Sequence, residues 1–353
     1  MKKHGIQWLV LMVVAAMLSM AAAGCGGGDQ KKAEPAKTAA PAAQKISGKL
    51  MIYTSIYPDI IEVVKPALKK AFPDLEVQWF QAGTEKVITK LTGEIEAKKV
   101  QADLLMVADP SYYLTLKDKN LLMKYDAPNR KDVSAAKDTE GFWTGVRISN
   151  MIIAYNTNKV KPEDAPKTFK ELTDPKWKDK VAIPSPLLSG SAYVAVGVLS
   201  DKYGWDYFSK LKANGGKVEP GNSAIQNKLV TGEYQAVMIL EENILKIMAK
   251  GEPVKVVYPE DGTIVIPSPI AIFTSTQNPE AAKALTNWWL SKEGQEAIVK
   301  GWMHSVRDDV NPPKGAPALK TFMNKGDLKA NWDKLAKNME KIKGEYQKIM
   351  DAK

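Results

Sequence analysis

Apolar positions after residue 48 switch repeatedly between two spacings. Leu50–Tyr53 is a short unbroken apolar run and predicts a buried strand. Ile60, Ile61, Val64, Leu68 and Phe72 then recur as one face of a helix. Leu75–Phe80 alternates apolar and polar residues, as a strand does. Thr84–Lys98 carries Val87, Ile88, Leu91 and Ile95 on one helical side. Leu104–Ala108 is a third apolar run, and Pro110 opens the next helix, where proline is tolerated at the first position. This β-α-β-α-β order predicts a parallel sheet with helices on both faces.

The pattern returns further along. Met151–Tyr155, Val181–Pro184 and Ala236–Leu240 read as strands. Ser191–Asp201, Trp205–Ala213, Ser223–Thr231 and Glu241–Lys250 read as helices. Thr263–Ile266 and Pro269–Phe273 read as two extended segments, and Pro279–Ser291 and Glu293–Lys300 as helices. From Leu328 to Met350 a stripe of Trp332, Leu335, Met339, Ile342, Tyr346 and Ile349 predicts one polar helix packed on the body of the protein. The stripe is too short for a free coiled coil. The fold class is α/β. About 300 residues exceed one comfortable core, so two lobes are expected, each a mixed, mostly parallel sheet flanked by helices, with a cleft between them.

The N-terminal residues follow a different logic. Lys2 and Lys3 precede a nearly continuous apolar run from Ile6 to Ala23, then Gly24-Cys25. That is the layout of an export signal, and small residues before a cysteine mark lipid attachment at Cys25. Ala22 stands where a leucine is more usual, so ordinary cleavage near Ala23 is an alternative, as is an N-terminal membrane helix. Cys25 is the one cysteine in the chain, so no disulfide framework exists. Residues 26–47, rich in Gly, Ala, Lys, Pro and Gln, read as a disordered tether. The expected organisation is a signal over 1–24, a lipidated tether over 25–47, lobe 1 over 48–147 plus 267–310, lobe 2 over 148–266, and packed C-terminal helices over 311–353. An exported, membrane-anchored periplasmic or cell-surface protein follows.

Charge adds little. The formal net charge is +10; removing Lys2 and Lys3 with the signal leaves 48 basic side chains against 40 acidic, or +8. The lysines are interleaved with acids, so no nucleic-acid partner is expected, though a mild preference for anionic ligands fits.

Catalytic chemistry is scarce. After the signal the one histidine is His304, too little for a histidine metal site. No phosphate-binding loop of the P-loop type occurs. Glu241 and Glu242 are adjacent on one helix and point apart, which suits no shared glycosidic bond. We therefore expect neither an enzyme nor a cofactor. What recurs instead is a small polar cluster between a strand end and a helix start: Thr54-Ser55, Gly83-Thr84, Asp109, Ser189-Gly190-Ser191, Asn222-Ser223 and Glu241-Glu242. In open α/β sheets ligands bind outside the carboxyl ends of strands, and helix starts there favour anions. Each cluster taken alone is also an ordinary helix cap.

These features resemble the extracellular solute-binding proteins of bacterial ABC importers. The branch is that of ferric-ion binders and their relatives for sugar phosphates, phosphonates and polyamines. The segments that carry the resemblance are Asp174–Ala192, Pro220–Met238 and Ser275–Gln295. It implies the type II periplasmic-binding-protein fold, a monomer, and delivery of a small solute to a permease with its ATPase. Lobe closure would hinge near Val146–Tyr155 and Thr263–Phe273. In the ferric binders a serine-glycine pair and a later asparagine hold an anion; Ser189, Gly190, Ser191 and Asn222 match them. Their tyrosine pair is replaced here by Glu242-Asn243. Tyr57 falls near the family's histidine and Asp109 on its glutamate. The resemblance thus implies an organic phosphate or phosphonate, held by Ser189–Ser191, Asn222 and Ser223, with Thr54, Ser55, Gly83 and Thr84 from the other lobe. Glu242 and Asp109 would hold a cationic or hydroxylated tail, with Arg147 facing the cleft. The alternatives are a polyamine, or ferric iron on an unorthodox set of Tyr57, Asp109 and Glu242.

Overall fold

A computed structural model describes residues 45–134, 137–323 and 326–352. The signal, Cys25 and the tether up to residue 44 lie outside the described residues. Eleven α-helices and nine strands are described. The first half begins with β1 (Ser47–Thr54), α1 (Pro58–Ala71), β2 (Asp74–Gln81), α2 (Thr84–Glu96), β3 (Leu104–Met106) and α3 (Pro110–Asp118). Strand β1 pairs in parallel with β2 on one side and β3 on the other. It starts at Ser47, opposite Asp74, so ordered structure takes in the last residue of the stretch read as tether.

Then follow the long β4 (Thr144–Asn156), β5 (Val181–Pro184), α4 (Gly190–Tyr203), α5 (Asp206–Ala213), β6 (Lys217–Glu219) and α6 (Asn222–Val230). The chain continues through β7 (Ala236–Leu240), α7 (Glu241–Met248), β8 (Val254–Val257) and β9 (Ile264–Ile272). It ends in α8 (Pro279–Trp289), α9 (Lys292–Lys300), α10 (Trp332–Lys337) and α11 (Met339–Asp351). The strands form one mixed sheet in the order β2-β1-β3-β9-β4-β7-β5-β6, with β8 added on β4. The pairs β5–β6 and β5–β7 are parallel, and β3–β9, β4–β7, β4–β8 and β4–β9 are antiparallel.

The hydrophobic cores divide this sheet. Leu50, Ile52, Leu104 and Met106 pack with Ile60, Val64, Leu285 and Trp289, and Tyr53, Val87, Leu91 and Leu105 form a satellite on the opposite face. Ile183, Val194, Phe208 and Met238 centre a second core, with Ile152, Ile225 and Ile239 behind it. Strand β4 belongs to both: Val146 and Ile148 join the first core and Met151 and Ile153 the second. Only β4 and its partner β9 are shared in this way among the described strands.

Three sequence expectations change. The two segments around Pro267 are one strand, β9. Ile148, opposite Pro267, gives its N–H to the His304 carbonyl (3.0 Å), so the N–H that proline lacks is not needed there. The short strands β6 and β8 carry no expected pattern because they are partly solvent-facing. The single C-terminal helix is two. Asn338, at φ −117° and ψ 17°, leaves the helical region between α10 and α11. Leu335 sits against Gly197 of α4 and Tyr346 stacks edge-on against Phe208 of α5, so the two pieces follow two different surfaces.

Candidate functional site

Five helices start at one cavity of about 410 Å³ between the two cores. Their capping residues are Tyr57 (α1), Gly83 (α2), Ser189 (α4), Gly221 (α6) and Leu240 (α7), and all five line it. Each helix start leaves backbone N–H groups without intrahelical partners and carries partial positive charge. The cause is topological: each follows a strand or turn ending at the same edge of the sheet, where the chain must reverse.

One wall of the cavity is a line of neutral donors and acceptors. The Ser189 hydroxyl caps α4, accepting from the Ala192 N–H (3.4 Å), and lies 3.1 Å from the Ser191 hydroxyl. The Asn222 amide donates to Ser191 Oγ (3.4 Å), while its oxygen accepts from the Leu240 N–H (3.2 Å). Three elements, α4, α6 and β7, are thereby held in register around the same surface.

Another wall is charged. Arg147, on β4, is buried and donates through Nη1 to Ser149 Oγ (2.8 Å) and Glu242 Oε1 (3.3 Å), the latter from the first turn of α7. Burial lowers the Arg147 pKa and raises that of Glu242, and each partner opposes the other's shift. Tyr57 faces the same wall. Burial pushes its phenol up, the Glu242 charge adds to this, and the guanidinium of Arg147 with the amides of Asn222 and Asn243 act against it. The ring is half-exposed while the hydroxyl end is enclosed. Tyr57 is therefore neutral at physiological pH. Glu241, the next residue, turns the other way: it accepts from Asn150 (2.7 Å) and from Tyr258, and its Oε2 is 3.0 Å from His304 Nε2.

The residues singled out in the sequence divide accordingly. Ser55, Tyr57, Gly83, Thr84, Arg147, Ser189, Ser191, Asn222, Ser223 and Glu242 line the cavity. Three do not. Thr54 is buried, donating to the Met106 carbonyl (2.9 Å) and accepting from the Ile56 N–H (3.0 Å), which ties β1 to β3. Asp109 is buried as the cap of α3, accepting from the N–H (3.0 Å) and hydroxyl (2.6 Å) of Ser111. Burial raises its pKa to about 7. Gly190 meets Thr84: a Cβ there would fall 2.6 Å from Thr84 Cγ2, so the missing side chain lets the two halves touch.

Of the set Tyr57, Asp109 and Glu242, the first and last line the cavity and Asp109 does not. No group of three or more His, Cys, Asp or Glu side chains placed to hold a metal ion occurs among the described residues. Trp143 is core, beside Tyr113. Sequence reasoning missed Gln81, Lys86, Leu188, Pro220 and Gly221, which also line the cavity. Gln81 ends β2 and Pro220-Gly221 precede Asn222, so their neighbours gave a signal. Exposed Lys86 is one helix lysine among many.

Two α/β halves joined through β4 and β9, with helix starts converging on a ligand-sized cavity, define a binding protein of the type II periplasmic class. Residues 100–338 match the family described as bacterial extracellular solute-binding protein, and the chain belongs to that family. The family's members include solute-binding components of ABC importers. A putative 2-aminoethylphosphonate-binding periplasmic protein of Salmonella typhimurium is 26% identical over 299 residues, covering 79% of this chain and 84% of its own. Two solved structures share the fold. The periplasmic binding protein AfuA from Actinobacillus pleuropneumoniae, with fructose-6-phosphate bound, superimposes with a TM-score of 0.77 at 22% identity, covering 86% of this chain and 99% of its own. Iron-bound HitA from Pseudomonas aeruginosa gives 0.74 at 21% identity, covering 85% and 99%.

Proposed function

We propose that this protein captures a small organic anion with a phosphate or phosphonate head between its two lobes and hands it to a membrane permease driven by an ATPase. The observation that carries the reading is the meeting of five helix starts and the Ser189–Ser191–Asn222 line at one cavity. Backbone N–H groups and hydroxyls suit phosphoryl oxygens. Ser223 would add a hydroxyl from α6; Ser55, Gly83 and Thr84 would close over the head from the other side. The cavity is far larger than a bare ion requires, holding roughly a dozen water volumes. The names of the Salmonella relative and of the AfuA complex, both phosphoryl-headed, agree with this chemistry.

In this reading the lobes are about 48–147 with 267–310, and 148–266, and they rotate about β4 and β9, the strands whose residues join both cores. Closure removes the head from water and strengthens its hydrogen bonds. The protein would work outside the cytoplasmic membrane as a monomer, tethered by a lipid on Cys25. A ferric site would need Glu242 free as a ligand, whereas Arg147 already neutralises it at 3.3 Å. The same pair weakens the case for a polyamine.

The test is thermal unfolding of the purified protein with inorganic phosphate, hexose phosphates, aminoalkyl phosphonates, spermidine and ferric citrate. A ligand present at ~100 times its Kd adds ~2.7 kcal/mol, a readily measured rise in midpoint. A rise with phosphorylated or phosphonate compounds is expected. A rise with iron or spermidine alone would overturn the reading.

A further inference from the structure

We infer that two ion pairs between the lobes, Lys343–Glu85 and Lys246–Asp59, form a charge latch that holds the cleft shut, with the buried Lys343–Glu85 pair supplying most of the hold. The inference rests on the lobe rotation proposed above and adds what that rotation must break.

Two observations carry it. The first is placement. Among the described residues these are the lysine–carboxylate pairs that join one lobe to the other. Lys343 belongs to α11, whose Ile342 and Tyr346 pack in the second core, and its Nζ lies 2.6 Å from Oε2 of Glu85 in the first turn of α2. Lys246 belongs to α7, one helical turn beyond Glu242, and its Nζ lies 2.6 Å from Oδ2 of Asp59 in the first turn of α1. Both carboxylates adjoin cavity-lining residues, Glu85 directly after Thr84 and Asp59 shortly after Tyr57. The Lys246 ammonium also stands 5.8 Å from the centre of the Tyr57 ring. Neither pair involves β4 or β9, so rotation about those strands pulls both apart.

The second is burial. The Lys343 and Glu85 side chains are only 15% and 11% exposed, and Glu85 Oε1 has no partner among the described residues, so the carboxylate rests on this one ammonium. The Lys343 ammonium in turn lies 5.3 Å from the centre of the Tyr193 ring on α4, which seats it on its own lobe. Charges shielded from water attract strongly, whereas the half-exposed Asp59 pair is weaker. Removing one partner of the buried pair leaves a charge that the closed form hides from water and the open form returns to it, which favours opening. Removing both charges takes that penalty away.

Double electron–electron resonance on the purified full chain tests this. Glu96→Cys at the end of α2 and Val218→Cys in β6, both exposed positions, place one spin label on each lobe once Cys25→Ser has removed the native thiol. Without further change the short inter-lobe distance should dominate. Lys343→Met should raise the ratio of long to short distances by about tenfold or more, and adding Glu85→Gln should reverse most of that rise. Asp59→Asn should raise the ratio by about two- to fivefold. Glu85→Gln alone keeps the side chain's shape and should act in the same direction as Lys343→Met; it decides the matter if Lys343→Met prevents folding. A ratio unmoved by every single change, or a double variant as open as Lys343→Met, overturns the latch. Gly190→Ala, whose Cβ would press on Thr84 of the other lobe, then separates the causes. A longer distance in that variant keeps the lobe rotation, and an unchanged one overturns the rotation as well.

Discussion

Gly190→Ala isolates the contact between the halves. Gly190 is the first residue of α4 and its backbone is not in the left-handed region, so alanine fits the local conformation. The lobe carrying α4 should lose nothing by the change and gain a few tenths to 1 kcal/mol from reduced freedom of the unfolded chain. The collision is with the other half. A Cβ at position 190 would lie 2.6 Å from Thr84 Cγ2, 2.8 Å from Thr84 Cβ and 2.9 Å from Thr84 Oγ1. Rotating the threonine side chain cannot relieve it, because Thr84 Cβ is fixed to the backbone of α2. The halves must separate locally or distort. Overpacking of this kind costs about 1–3 kcal/mol, which becomes about 5- to 150-fold in ligand affinity if the penalty falls on the closed form alone. The assay pairs calorimetry with thermal unfolding of the ligand-free protein. The expected result is weakened binding with an unchanged or higher ligand-free midpoint. Wild-type affinity would refute the contact as part of the ligand-bound form. A loss of ligand-free stability as large as the loss of binding would show that the contact belongs to the resting fold and not to closure.

Three further outcomes follow from the same geometry. Ser189→Ala combined with Asn222→Ala removes the hydroxyl–amide line, and affinity should fall by roughly 100-fold or more in calorimetry, at about 1.5–3 kcal/mol for each hydrogen bond to a charged group, with far-UV circular dichroism unchanged. Asp109→Asn keeps the cap on Ser111 and removes a carboxyl whose pKa rises from 3.8 to about 7 on burial. The folded protein holds that proton longer than the unfolded chain, so wild-type stability falls as pH rises from about 4 to about 7 and is level beyond. Urea unfolding should therefore show the variant gaining on the wild type between pH 4.5 and pH 8, by up to a few kcal/mol; a constant difference would count against the assignment. Leu335→Ala withdraws the side chain of α10 that seats against Gly197, and should cost about 2–5 kcal/mol in the same assay.

Much of the fold could be read in the chain because the helices facing the sheet are amphipathic over several turns. Ile60, Ile61, Val64, Leu68 and Phe72 read as one helical face; the first four are buried in α1, and Phe72 is its partly buried C-terminal cap. The strand-end clusters were legible for a related reason: a polar residue between an apolar strand and an apolar helix marks the reversal where caps and ligand sites both form. The choice between those two roles was not legible. Ser189 and Asp109 are the same kind of signal, a capping residue after a buried strand, yet Ser189 faces the cavity while Asp109 turns into the core beneath α3. The break at Asn338 was hidden because Leu335 and Met339 continue one stripe across it, although the surfaces that receive α10 and α11 differ.

The sequence by itself determined the local elements, the scarcity of catalytic groups and the polar residues at strand ends, since these depend on spacing and residue type along the chain. Tertiary structure alone decided that Arg147 meets Glu242 across 95 positions, that Gly190 serves the approach of Thr84, and that five helix starts share one cavity. Such facts depend on which strand edges the β4–β9 pair brings together. Local periodicity carries no record of that, because the energies that fix it arise only when distant segments are packed and their charges leave water together.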